Sequence, residues 1–175
     1  VRMLGRLRER VPDVLLVIAG EGPAQAHCRA LVDSLGLAGN VLFVGYLDRR
    51  NGLGDCYRAA DVFVFASRTE TQGLVLLEAM AQGTPAVSTA VMGTVDVLAG
   101  AQGAVVVPED ETAFAAAVAT VLGDPARRAE LSAHAIQDAR NWSSRLMADR
   151  LVALYAAVIA RRAAGCSPAL QSQVA

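Results

Sequence analysis

The sequence has 175 residues, 54% of them hydrophobic and 19% charged, enough for one packed domain and incompatible with global disorder. A formal net charge of −1 excludes a basic field that could hold nucleic acid by electrostatics alone. Cys28, Cys56 and Cys166 are widely spaced and histidine occurs only at His27 and His134, so neither a disulfide frame, a zinc knuckle nor a His-based triad is expected.

All sixteen basic residues are arginine and they are scattered; no function is drawn from that. No stretch approaches the ~20 apolar residues of a membrane span, and the charged amino end lacks the core of a signal peptide. The expected setting is reducing and cytoplasmic, including the inner face of the membrane. The chain opens at Val1 rather than methionine, and the expectation is a piece of a longer protein.

In chain order, residues 1–10 place Met3, Leu4 and Leu7 on one helical face, and Pro12-Asp13 breaks that helix. Residues 14–19 are apolar without alternation, the pattern of a strand buried on both faces of a parallel sheet. The turn with Gly20, Gly22 and Pro23 follows, then a helix over 24–35 stopped by Gly36. A strand over 41–44 ends in Gly45-Tyr46, and a polar loop with Asn51-Gly52 leads to a short helix carrying Leu53, Cys56 and Tyr57. Strands are expected over 61–67, 85–88 and 104–107, and helices over 74–82, 111–122, 125–140 and 143–162. Strands alternating with helices predict an α/β fold, a doubly wound parallel sheet with helices on both faces. Ligands of such sheets sit beyond the carboxyl ends of the strands. The segments after the first three strands can therefore share one crevice.

Residues 67–87 carry the chemistry. Gly73 ends a polar loop and opens a helix whose first N–H groups, at Leu74 and Val75, lack intrahelical partners. A phosphate there gains donors and the positive end of the helix dipole. Glu78 follows four residues later, roughly 6 Å along the axis, among apolar neighbours. Unpaired burial of a carboxylate costs several kcal/mol, on the order of a lost ion pair, so Glu78 needs a partner. A ribose diol supplies two donors, and Glu70 on the loop can face whatever the phosphate carries. Two readings stand side by side: a diphosphate seat flanked by carboxylates, or a plain cap with Glu78 bonded to a neighbouring backbone turn.

The run Glu70-Thr71-Gln72-Gly73-Leu74, continued by Glu78-Ala79-Met80-Ala81, Gly83, Pro85 and Val87, resembles the donor signature of retaining glycosyltransferases of family 4, with the GT-B fold. Similar in order and spacing are Pro12-Asp13 with Leu16, Ile18, Ala19, Gly20, Gly22 and Pro23; Val41, Phe43, Gly45 and Tyr46; and Tyr57 with Ala60 to Phe65 and Ser67. Gly103, Val106, Val107, Pro108 and Trp142 extend it, so that the resemblance spans roughly residues 3–160.

The resemblance implies that Glu70 contacts the donor hexose near the reacting centre and is the catalytic candidate. It implies that Gln72, Gly73 and Leu74 hold sugar hydroxyls and phosphate through their backbone, and that Glu78 binds the ribose. Gly45 and Tyr46 line the base, and Gly20 and Gly22 sit on the cleft's rim. Ser67, Arg68, Thr71 and Val75 complete the expected donor-binding set, Arg68 as a substitute cation or a solvated side chain. No metal site and no cofactor are implied, the substrate being a UDP- or GDP-hexose. The acceptor, lipid or saccharide, belongs to an amino-terminal domain that this sequence does not contain. Also absent are the family's Arg and Lys near the diphosphate and the first, central strand of the sheet.

The expected organisation is a Rossmann-like nucleotide-sugar-binding domain over 1–164, the carboxyl-terminal half of a GT-B fold without its first strand, and a loose tail over 165–175. The expected function is donor binding in a hexosyltransferase. The rivals are a truncated, inactive nucleotide-binding module and, disfavoured by the spaced glutamates, a sugar-nucleotide epimerase. The helix over 143–162 suits docking on a domain better than lying on a membrane.

Overall fold

The computed structural model describes residues 1–50 and 52–165; Asn51, the expected tail beyond Gly165, and Cys166 lie outside the described residues. By contacts the chain forms two compact units, Val1–Arg140 and Asn141–Ala175.

The first unit alternates helices and short strands: α1 (Arg2–Arg8), β1 (Leu16–Ala19), α2 (Gln25–Ser34), β2 (Val41–Gly45), α3 (Leu53–Ala59), β3 (Phe63–Phe65), α4 (Leu74–Ala81), β4 (Ala86–Ser88), α5 (Thr94–Leu98), β5 (Ala104–Val106), α6 (Glu111–Gly123) and α7 (Pro125–Arg140). Every strand pairing is parallel, as expected for crossover connections through helices. Leu16 pairs with Val41 and Ile18 with Phe43; Phe63 pairs with Ala86 and Ala86 with Ala104.

The strands fall into two sheets, β1-β2 and β3-β4-β5. Among the described residues only β4 is paired on both edges; β1, β2, β3 and β5 each pair along one. Both sheets nevertheless rest on one core. Leu4, Leu7, Val87, Phe114, Val118 and Leu131 form it, with Leu16, Phe43 and Val64 packed against it. β4 is buried along its whole length, which a strand flanked on both edges and covered on both faces requires.

Sequence sets the helix ends. Asp110 accepts from the N–H of Ala113 at 2.7 Å and Asp124 from that of Arg127 at 2.9 Å, two side-chain caps, the second just before a proline at the first helical position. Asp138 on α7 reaches back to the N–H groups of Gln102 and Gly103 at 2.8 and 2.7 Å and moors the start of β5. α5 is a short helix the sequence reading leaves as connection, since five residues show no periodicity.

The second unit contains α8 (Ser144–Gly165), three residues longer than expected at its carboxyl end, so Gly165 is helical rather than the start of a tail. Among the described residues no helix is long and apolar enough to cross a membrane.

Candidate functional site

The residues nominated from sequence gather in two groups beyond the carboxyl ends of strands. The first follows β1 and β2. Gly20 donates its N–H to Gly45 at 2.7 Å, so the two turns are tied together, and Tyr46 stands 71% exposed beside them. Gly22 accepts from the N–H of Gln25 at 3.1 Å and opens α2.

The second group lies between β3 and α4. Gly73 is the N-cap of α4 in the left-handed region at φ 69°, buried. A Cβ there would stand 3.1 Å from Val97 Cγ2, so glycine answers both the backbone angle and the contact with α5. Glu70 sits on the loop before it. Its Oε1 accepts from the N–H groups of Gln72 at 3.0 Å and Gly73 at 2.9 Å, and these bonds hold the carboxyl below its ordinary value.

That arrangement differs from the expected one in a specific way. The backbone donors of Gln72 and Gly73 are used by Glu70 itself, whereas the N–H groups of Leu74 and Val75 have no partner among the described residues. Two N–H groups at a helix start remain for an anion. Glu70 Oε2 likewise has no partner among the described residues and can accept from a hydroxyl.

Glu78, on α4, is 30% exposed. The partner it needs is neither a backbone turn nor an absent group alone. Arg49 Nη2 lies 2.8 Å from Oε1, and the Tyr57 hydroxyl lies 3.5 Å from Oε2. Burial of the phenol, together with the neighbouring carboxylate, pushes Tyr57 up to about 12. Arg49 belongs to the loop that follows Gly45-Tyr46, so its ion pair with Glu78 ties that loop to α4 and links the two groups.

The remaining nominated residues have local roles. Ser67 Oγ accepts from the N–H of Thr69 at 3.2 Å, and Arg68 Nε pairs with Glu109 at 2.9 Å, so Arg68 is already neutralised. The carbonyl of Thr71 is approached by Gly93, where a Cβ would come within 2.0 Å of it, while Gly93 N–H donates to the Glu70 carbonyl at 3.0 Å. Gly93, Arg49 and Tyr57 are residues that the sequence reading did not assign to the site. Tyr57 was legible as part of a motif; for the other two only folding supplies the signal.

His27 is exposed and His134 half-buried, and no group of three metal-ligating side chains occurs among the described residues. A hollow of about 190 Å³ beside Arg6, Glu9, Arg10 and Thr112 is lined by none of the nominated residues.

Comparison with known proteins gives this geometry a lineage. The family described as glycosyl transferases group 1 matches residues 1–142. The chain is 38% identical over 177 aligned positions to a D-inositol 3-phosphate glycosyltransferase of Stackebrandtia nassauensis, covering 93% of this chain and 39% of that protein. It is 36% identical to the GDP-mannose-dependent alpha-(1-6)-phosphatidylinositol monomannoside mannosyltransferase of Mycolicibacterium smegmatis, covering 88% and 42%. Among solved structures, Anabaena Alr3699/HepE in complex with UDP and glucose superposes with a TM-score of 0.74 at 20% identity, over 89% of this chain and 44% of that one. The chain therefore spans about two fifths of the length of these relatives. Its fold is the Rossmann-like α/β fold of the GT-B carboxyl-terminal domain, and the chain belongs to the glycosyl transferases group 1 family.

Proposed function

We propose that this chain is the donor-binding part of a retaining hexosyltransferase that uses a UDP- or GDP-hexose, without a resident cofactor. One observation carries the reading: the start of α4 leaves the N–H groups of Leu74 and Val75 unpartnered between two carboxylates of different surroundings, Glu70 and Glu78. In this reading the diphosphate rests on those N–H groups, the ribose reaches Glu78, and the hexose meets Glu70 Oε2. When the C1–O bond to the diphosphate breaks, C1 bonds to a hydroxyl oxygen of the acceptor, whose proton passes to the departing diphosphate; the leaving group takes the electron pair, and the donors and helix dipole stabilise that charge. Gly45 and Tyr46 flank the base and Gly20 and Gly22 the rim. The acceptor in this reading is a lipid or a saccharide.

Calorimetry with UDP and GDP on the complete gene product tests the reading. Glu78→Gln is expected to weaken the preferred nucleotide by about 1–3 kcal/mol, the cost of a charge-assisted bond. Unchanged affinity for both nucleotides would remove the ribose assignment.

A second reading has its own support. The chain spans about two fifths of the length of the relatives it matches, which suits a module that binds nucleotide without turning it over. Donor hydrolysis or transfer by the 175-residue chain alone would exclude it.

A further inference from the structure

Glu78 is held from two sides by partners of opposite rigidity. Tyr57 is fixed at its ring and at its backbone. Its ring meets Phe63 edge-on at 5.4 Å, Phe63 stacks on Phe65, and its carbonyl accepts from the buried Thr84 hydroxyl at 2.6 Å. Thr84 lies three residues beyond α4 and its N–H donates to Ala79 of that helix at 3.1 Å, so the hydroxyl that faces Glu78 is referenced to the same helix that carries Glu78. Arg49 has no such support. It projects from a polar loop, is 71% exposed, and its contact with Glu78 Oε1 is an exposed-side ion pair.

Resting on the ribose assignment above, the geometry points to a latch: Tyr57 is a positioning residue that aims Glu78, and Arg49 is a displaceable partner whose place on Oε1 the ribose diol takes. An Arg side chain is long and its exposed pairs are weak, so exchange for two neutral donors is inexpensive. The tyrosine bond stays in place throughout, because Oε2 faces the half-buried phenol rather than the loop. The site thus keeps its carboxylate compensated when empty, which the half-buried position of Glu78 requires.

The test is calorimetry on the complete gene product with three probes: UDP, 2′,3′-dideoxy-UDP and inorganic pyrophosphate, replaced by the guanosine pair if GDP is preferred. Arg49→Ala is expected to tighten UDP about two- to five-fold, the equivalent of a surface ion pair, and to leave dideoxy-UDP and pyrophosphate unchanged. Tyr57→Phe is expected to weaken UDP several-fold with the other two probes unaffected, a split that general loosening of the fold would not produce. Arg49→Gln repeats the first measurement with a side chain of similar reach and no charge. If wild type discriminates UDP from dideoxy-UDP and Glu78→Gln loses that discrimination while Arg49→Ala weakens or fails to change UDP binding, the latch is wrong and the ribose assignment stands. If wild type binds UDP and dideoxy-UDP equally, or binds no nucleotide, the ribose assignment itself has failed and the latch with it.

Discussion

Glu70 has two tasks that one substitution can separate. Its Oε1 fastens the loop through the N–H groups of Gln72 and Gly73, and its Oε2, without a partner among the described residues, is the atom that the proposed reading gives to the sugar. Glutamine keeps an acceptor for both N–H groups but loses the charge, whereas alanine loses both. Glu70→Gln is therefore expected to lower transfer while UDP or GDP affinity holds, and Glu70→Ala to lower the melting temperature as well. Equal losses for free nucleotide and nucleotide sugar would place Glu70 elsewhere.

The sign of its pH dependence follows. A carboxyl held below its ordinary 4.5 stabilises the fold above that value and loses the contribution as pH falls through its lowered folded value. A carbon-detected NMR titration is expected to find Glu70 below 4.5, with the Gln72 and Gly73 amides shifting at the same midpoint. Tyr57 runs the other way, since a phenol at about 12 favours folding up to pH 10 and loses that contribution as pH rises from 10 to 12. Glu78→Gln is expected to bring the phenol titration down toward 10 without reaching it, because burial, the larger cause, remains.

At the scale of elements, the loop before α4 and the turn before α5 behave as one clasp. Gly93 closes it by backbone contact with Thr71, and Thr94 fastens the turn, its hydroxyl accepting from Val91 N–H at 2.8 Å. Gly93 has ordinary helical angles at φ −63°, so a side chain there is refused by space alone. Gly93→Ala is expected to cost about 1–3 kcal/mol, the range for overpacking, and to weaken nucleotide binding by moving Thr71 and Gln72. Equilibrium denaturation with UDP titration checks both. Met92, next to it, sits at φ 52° and is 58% exposed, so its conformation is strained and its side chain packs little. Met92→Gly is expected to raise stability by roughly 0.5–1 kcal/mol, relief of the left-handed strain exceeding the entropy cost of glycine.

For the whole molecule, the divided sheet governs the outlook. β1 and β3 each present a one-sided ladder, and the face of β1-β2 away from the core exposes Val17, Leu42 and Val44. Unpaired parallel edges beside apolar surface invite association. The isolated 175-residue chain is expected to self-associate in sedimentation velocity, to melt at low temperature or broadly, and to show no glycosyl transfer. A cooperative melt at an ordinary mesophilic temperature together with turnover would overturn that expectation.

How much of this was open to sequence alone follows from the range of each interaction. Strands and helices of the first unit were legible because apolar runs and the 3.6-residue period are local properties. The glycine at position 73 and the carboxylates at 70 and 78 were legible because a helix start and a one-turn offset are set by chain spacing. The partners of those carboxylates were not. Arg49 lies 29 positions from Glu78 and Tyr57 lies 21, and only the packing of α3 and the β2 loop against α4 makes them neighbours. Gly93 meets Thr71 only in the folded chain. Local order needs only neighbouring residues, and so the sequence by itself determined the elements and the helix start at Gly73 with a carboxylate on either side. Which donors remain free for a ligand was decided by tertiary structure, because hydrogen bonds and ion pairs are allotted among groups that meet only when the chain has folded.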